Sequence, residues 1–168
     1  MLNARLTEVV EKHKLLGEVQ NGFRKDSSCV DSVFTLNSVL WKSIAKKKSA
    51  NLAFLDLTKA YDSVCRETLW KKLSKMGFGR QFLEALKSLY KGDYVTCDAN
   101  GVSTKPVYLG RGLRQGCSLS PILFALYVAD MSKDLHESGL GVKLHRFTKH
   151  FLSYIDGSSA FLMEVYLA

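Results

Sequence analysis

The chain has 168 residues, 46% of them hydrophobic and 24% charged, the composition of one globular domain rather than of a disordered segment or a multidomain enzyme. Lysine and arginine number 24 against 16 acids, a formal charge of +8, which favours a polyanionic partner, nucleic acid or an anionic membrane surface. The longest nearly apolar run, Pro121 to Ala129, falls far short of the ~20 residues that span a bilayer, and residues 1–16 mix charges into a helical pattern, so neither a membrane partner nor a secretory leader is expected.

Residues 2–14 carry Leu2, Leu6, Val9 and Val10 on one stripe and read as an amphipathic helix. A loop from Gly17 to Ser28 follows, with Arg24 and Lys25. Ser27 or Ser28 can cap a second helix running to about Lys48, with Val30, Val33, Phe34, Leu40 and Ile44 at helical spacing. Asn51 to Leu57 is short and nearly all apolar, as a buried central strand reads. Helices are expected from about Arg66 to Met76, stopping at Gly77, and from about Arg80 to Lys91, stopping at Gly92. Asn100-Gly101 between Tyr94–Ala99 and Ser103–Leu109 signals a type I′ hairpin. A loop from Gly110 to Gly116 leads into a helix over about Ser120 to Glu137. Short strands Val142–Phe147, Phe151–Ile155 and Ala160–Leu167 follow, the last two joined through Asp156-Gly157, again a hairpin dipeptide. Helices mixed with antiparallel hairpins make an α+β domain. A chain that stops inside an apolar strand, at Val165 to Ala168, reads as a piece of something longer.

The cysteines, Cys29, Cys65, Cys97 and Cys117, form no C-x-x-C and no zinc spacing with the histidines, so they read as reduced, small buried hydrophobes of an intracellular protein, in nucleus or cytoplasm.

Two carboxylates suggest chemistry. Asp56 stands in an apolar strand, where an unpaired charge is costly and calls for a metal, a cation or a helix N-terminus. Asp156 stands at a hairpin tip. Two aspartates at neighbouring strand ends supply the hard oxygen ligands that Mg2+ shares with substrate phosphates. The plain alternatives are a cap on the next helical turn for Asp56 and an ordinary turn residue for Asp156.

The stretch Ala53-Phe-Leu-Asp-Leu-Thr-Lys-Ala-Tyr-Asp-Ser-Val64 resembles motif A of the reverse transcriptases of non-LTR (LINE-type) retrotransposons. Gly110-Arg-Gly-Leu-Arg-Gln-Gly-Cys-Ser-Leu-Ser-Pro-Ile-Leu-Phe124 resembles motif B of that family, and Gly22-Phe-Arg-Lys-Asp-Ser-Ser28 its fingers motif. Ser153-Tyr-Ile-Asp-Gly157 stands where the family carries Tyr-Ala-Asp-Asp, motif C. The resemblance implies a single partial reverse transcriptase domain over 1–168, with 1–50 fingers-like and 51–168 mainly palm. An antiparallel palm sheet would pack on helices, and the thumb would be absent.

It further implies RNA-directed DNA polymerisation on a primed RNA or DNA template, with a dNTP as substrate and two Mg2+ ions. Asp56 and Asp156 would be catalytic metal ligands, with the carbonyl of Leu57 as a second contact. Tyr61 would crowd the sugar 2′ position, or else be a core aromatic. Gln115 and Gly116 would lie against nucleotide and template, and Arg24 near the triphosphate. Arg114 is either a backbone-phosphate contact or a structural salt bridge, and Asp62 is expected to order the turn. Gly157 stands in place of the second motif C aspartate, leaving the metal pair one carboxylate short. A chain of this kind is expected to polymerise weakly, or to be an inactive remnant that still binds nucleic acid.

Overall fold

In a computed structural model, residues 2–16, 22, 28–47, 50–137, 142–144, 147–149, 151–155 and 160–167 are described. Of these, positions 29, 50, 51, 53–56, 132, 133 and those after 134 are described by backbone alone. Among the described residues this α+β chain has six helices: α1 (Leu2–Lys12), α2 (Cys29–Ala45), α3 (Ala60–Ser63), α4 (Arg66–Lys75), α5 (Arg80–Leu89) and α6 (Ser120–Glu137). The strands are β1 (Ala50–Asp56), β2 (Tyr94–Val95), β3 (Asp98–Ala99), β4 (Val102–Ser103), β5 (Val107–Tyr108), β6 (Val142–Leu144), β7 (Phe147–Lys149), β8 (Phe151–Ile155) and β9 (Ala160–Leu167).

Local chemistry sets most of these boundaries. At the start of α2 the Ser28 amide donates to Asp31 Oδ2 at 2.7 Å, satisfying a donor that the first helical turn leaves free. Helix α4 ends just before Gly77, whose φ of +92° favours glycine, and the Gly77 amide closes the last turn on the Ser74 carbonyl. Asn100 and Gly101 both have positive φ, the geometry a type I′ turn requires, and β3 and β4 pair across them.

The core gathers one face from each of four helices. Leu6 and Val10 of α1, Leu69 and Leu73 of α4, Leu86 of α5, and Leu123, Phe124 and Leu126 of α6 are all at most 2% exposed. Lys72 crosses from α4 to α6, donating to the Tyr127 carbonyl at 2.6 Å and pairing with Asp130 at 2.8 Å.

The main sheet has the order β1-β9-β8, antiparallel throughout, and both α2 and α6 pack against β8. Strand β1 therefore lies at the sheet edge among the described strands, and β9 is central, which corrects the expectation of a central strand over 51–57. Apolar content reports burial of both faces, not the number of paired edges, so it could not separate the two. The expected strand over 142–147 is divided into β6 and β7, which pair with each other as a small hairpin.

Two further expectations change. The apolar stripe of α2 is largely at the surface: Val30, Val33, Phe34 and Ile44 are exposed, with Trp41, whereas Val39 and Ser43 are buried. Cys65 and Cys97 are exposed, so these two are not core residues, whereas Cys117 is half-buried and packs against the core; all three are free thiols. Cys65 precedes α4 as its N-cap and Cys97 lies in the exposed β2–β5 ribbon, positions set by local structure rather than by hydrophobicity. No helix among the described residues is long and apolar enough to cross a membrane.

Candidate active site

Strand β1 ends at Asp56, and the chain then turns through Leu57, Thr58 and Lys59 into α3. Lys59 adopts a left-handed conformation (φ +51°, ψ +48°), a backbone state disfavoured for a side chain with a Cβ. The sheet register links this turn to a distant part of the chain. Asp56 pairs with Phe161 of β9, and Phe161 pairs in turn with Tyr154 of β8. The C-terminal ends of β1 and β8 thus lie at one end of the sheet, with β9 between them. Asp56 is described by its backbone; Asp156, Gly157 and Arg24 lie outside the described residues.

Helix α3 presents Tyr61 inward. It is 6% exposed, and its ring meets that of Phe124 on α6 with centroids 5.3 Å apart. Leu57, half-buried, packs against the same core. The loop 110–116 is fastened directly to this turn. The Gly112 amide donates to the Val64 carbonyl and the Leu113 amide to the Tyr61 carbonyl, each at 2.9 Å. Gly112 has φ +85°, and a Cβ there would stand 3.0 Å from Asp62 Cα and 3.1 Å from the Asp62 carbonyl oxygen. Only glycine fits both the conformation and the close backbone approach. Gln115 donates from Nε2 to Asp62 Oδ1 at 3.3 Å at the surface, a further tie between the loop and the α3 turn. Gly116, at φ +78°, turns the chain toward α6. The structure thus brings together Tyr61, Gln115 and Gly116, three of the predicted site residues, on one turn-and-loop unit.

Behind the loop is a charged cluster whose outlines the sequence did not disclose. Asp93, 7% exposed, accepts from Arg66 Nη2 at 2.9 Å through Oδ2. Its other oxygen, Oδ1, accepts from Arg114 Nε at 2.8 Å and from Arg114 Nη2. Arg66, itself buried, also donates to the carbonyls of Gly112 (2.7 Å) and Leu109 (2.8 Å). The Tyr90 ring lies under both guanidiniums, 4.7 Å from Arg66 and 5.5 Å from Arg114. Arg114 is therefore the structural salt bridge of the two alternatives. Its hydrogen bond holds the Asp93 carboxyl below its ordinary value, against the opposing effect of burial. Burial pushes the Tyr90 phenol up, partly offset by Ser120.

These contacts join residues 21 to 46 positions apart, so no local pattern announces them. The one available signal was Asp93 after the helix-ending Gly92, an acid with no helix of its own to cap. Among the described residues no group of three or more His, Cys, Asp or Glu side chains is placed to hold a metal. An open groove of about 480 Å³, lined by Arg66, Trp70, Lys87, Tyr90, Lys91 and Tyr108 among others, contains none of the predicted site residues.

Residues 1–162 match the family model described as reverse transcriptase (RNA-dependent DNA polymerase). Among curated proteins the chain is similar to the retrovirus-related Pol polyprotein from type-2 retrotransposable element R2DM of Drosophila melanogaster, 28% identical over 137 residues, covering 82% of this chain and 13% of that one. It is 26% identical over 140 residues to the RNA-directed DNA polymerase from mobile element jockey of Drosophila funebris, covering 83% of this chain and 15% of the relative. The transposon TX1 149 kDa protein of Xenopus laevis is 37% identical over 100 residues, 58% of this chain and 8% of that one. The chain thus spans a small part of the length of the relatives it matches.

Proposed function

Because the chain belongs to the reverse transcriptase (RNA-dependent DNA polymerase) family, we propose that it forms the fingers-and-palm nucleotidyl-transfer site of a non-LTR retrotransposon reverse transcriptase. Its partners in this reading are an RNA or DNA template with an annealed primer, and a dNTP. The primer 3′-hydroxyl oxygen forms a bond to the α-phosphorus, the bond to the bridging oxygen breaks, and pyrophosphate leaves. The protein works inside the cell, and its contribution is positioning and charge.

The observation that carries this reading is the sheet register. Asp56 and Asp156 are 100 positions apart in sequence, yet pairing of Asp56 with Phe161 and of Ile155 with Ala160 runs β1 and the β8–β9 hairpin to one end of one sheet. That agreement is hard to attribute to local turn chemistry. Asp156 follows Ile155 in sequence, and two aspartates brought together there would fit Mg2+, whose ligands are hard oxygens. Asp56 and Asp156 would hold it, with the Leu57 carbonyl, and it would supply positive charge to the reacting phosphate.

The remaining roles belong to the chain's own groups. Tyr61 limits the space beside the sugar C2′, so that ribose is refused by clash. Its ring packs against Phe124 within the core, which suits the core-aromatic alternative as well. Gln115 and Gly116 meet the nucleotide and the template base from the loop fastened to the Tyr61 carbonyl. Arg24 meets triphosphate oxygens, which suit a planar guanidinium.

Gly157 favours a second reading, a catalytically reduced member that retains nucleic-acid binding, because glycine offers a metal no side-chain oxygen. Fluorescence anisotropy on a labelled primer–template duplex, titrated from low to physiological salt, tests what both readings share. Binding should weaken as salt rises, because lysines and arginines that neutralise phosphates release counterions. Affinity indifferent to salt would remove both. Primer extension with Mg2+ and dNTP then separates them: measurable extension favours the polymerase, duplex binding without extension the reduced member.

A further inference from the structure

We propose that Asp93 and Arg114 form a positioning clamp for the nucleotide-facing loop, acting through Gln115; this rests on the polymerase reading above. Loop 109–116 is held at many points. The Leu109 amide donates to the Asp93 carbonyl at 2.8 Å, and the Leu109 and Gly112 carbonyls both accept from Arg66. Those contacts secure the first half of the loop. The second half, which carries Gln115, is held by the Leu113 amide on the Tyr61 carbonyl, by Gln115 Nε2 on Asp62 Oδ1 at the surface, and by Arg114.

Arg114 is anchored through both its side chain and its backbone. Its guanidinium donates to Asp93 Oδ1 and to the Leu89 carbonyl (2.5 Å), while its own carbonyl accepts from Ser120 Oγ at 2.6 Å. Gln115 follows directly, so the direction of its Cα–Cβ bond is biased by a preceding residue held at both its side chain and its carbonyl. On its far side Gly116 adopts a positive φ.

The charge arrangement fits positioning better than stability. A nearly buried carboxylate between two guanidiniums loses much of its Coulombic gain to desolvation, and an apolar cluster of the same size would hold the fold as well. What an apolar cluster lacks is direction. Asp93 spends one oxygen on Arg66, fixed to the first half of the loop, and the other on Arg114, fixed to the second. A single carboxylate therefore registers the two halves against each other and against the end of α5.

The test measures binding of Mg2+–dTTP to the chain in the presence of a primer–template duplex with an unpaired template adenine. The variants are Arg114→Gln, Gln115→Ala and their double. Arg114→Gln leaves the Arg66–Asp93 pair and the first half of the loop intact. Each single substitution should weaken nucleotide binding about tenfold, the size of one interaction between contacting groups. The double variant should lose no more than the weaker single, because Arg114 acts through Gln115. Far-ultraviolet circular dichroism of each variant should match that of the unaltered chain, which a generally unfolded variant would not allow. Losses that add in the double variant, or an Arg114→Gln protein that binds nucleotide normally while Gln115→Ala does not, overturn the clamp and leave the polymerase reading in place. If the unaltered chain binds the duplex but no Mg2+–dTTP, the polymerase reading falls and the clamp with it.

Discussion

Replacing Gly112 with alanine should unfold the join between the α3 turn and the 110–116 loop, and the cost can be worked from geometry. At φ +85° an alanine carries a backbone penalty of roughly 1–2 kcal/mol. Its Cβ would also stand 3.0 Å from Asp62 Cα and 3.1 Å from the Asp62 carbonyl oxygen. Both obstacles are backbone atoms, so neither can rotate aside. The loop must back away, and two hydrogen bonds lie in its path, Gly112 to Val64 and Leu113 to Tyr61, each 2.9 Å long. At about 0.5–1.5 kcal/mol apiece they add roughly 1–3 kcal/mol to the loss. Gly77→Ala is the matched control: its φ is +92°, but a Cβ there meets nothing within 4 Å. The backbone penalty is common to both variants, so their difference isolates the loop contact. At roughly 2–4 °C per kcal/mol for a chain of this size, thermal melting should place Gly112→Ala several degrees below Gly77→Ala. Urea denaturation should show the same order. Equal stability of the two variants would refute the argument that the close approach of these two segments holds the site together.

Three further outcomes follow from single residues. Tyr61→Val should narrow the preference for dATP over ATP in Mg2+-dependent binding, at a stability cost of about 2–4 kcal/mol for a buried aromatic; unchanged selectivity would return Tyr61 to a purely structural role. Cys65 should be alkylated by iodoacetamide faster than Cys97 near neutral pH, because hydrogen bonds from Thr68 hold its thiol below the ordinary value, and Thr68→Val should slow it. Asp93 titrates below its ordinary value in the fold, so the unfolded chain takes up its proton first as pH falls; the stability it lends is present at neutral pH and lost below about pH 4. Asp93→Asn should therefore be less stable than the unaltered chain at pH 7 and lose less on acidification, which equilibrium urea curves at the two pH values would show.

Helix ends were legible because the residues that set them act over three or four positions. Ser28 with Asp31, Gly77 and Asn100-Gly101 each satisfy or redirect a backbone group within their own turn. The order of motifs was legible too, since a run such as residues 110–124 carries its meaning in its own letters. Helix α3 was not foreseen: four residues are too few for a periodic pattern. The central place of β9 escaped because strand order depends on which edges find partners across 100 residues. The Arg66–Asp93–Arg114 cluster escaped for the same reason, as each residue looks like an ordinary surface charge until the chain brings the three together. Arg114 could be narrowed from sequence to two roles but not to one.

The central claim is that Asp56 and Asp156 hold one divalent ion at the end of the sheet. It is tested most directly by Mn2+ binding, with Mn2+ standing in for Mg2+ and free ion read by its electron paramagnetic resonance signal. The unaltered chain should bind one ion at this site; Asp56→Asn and Asp156→Asn should each weaken that binding about tenfold or more, the double variant should bind more weakly than either single, and Gly157→Asp should bind more tightly than the unaltered chain. Binding that survives both asparagine substitutions, or a substitution of either aspartate that leaves the affinity unchanged, would mean that the two aspartates do not share an ion.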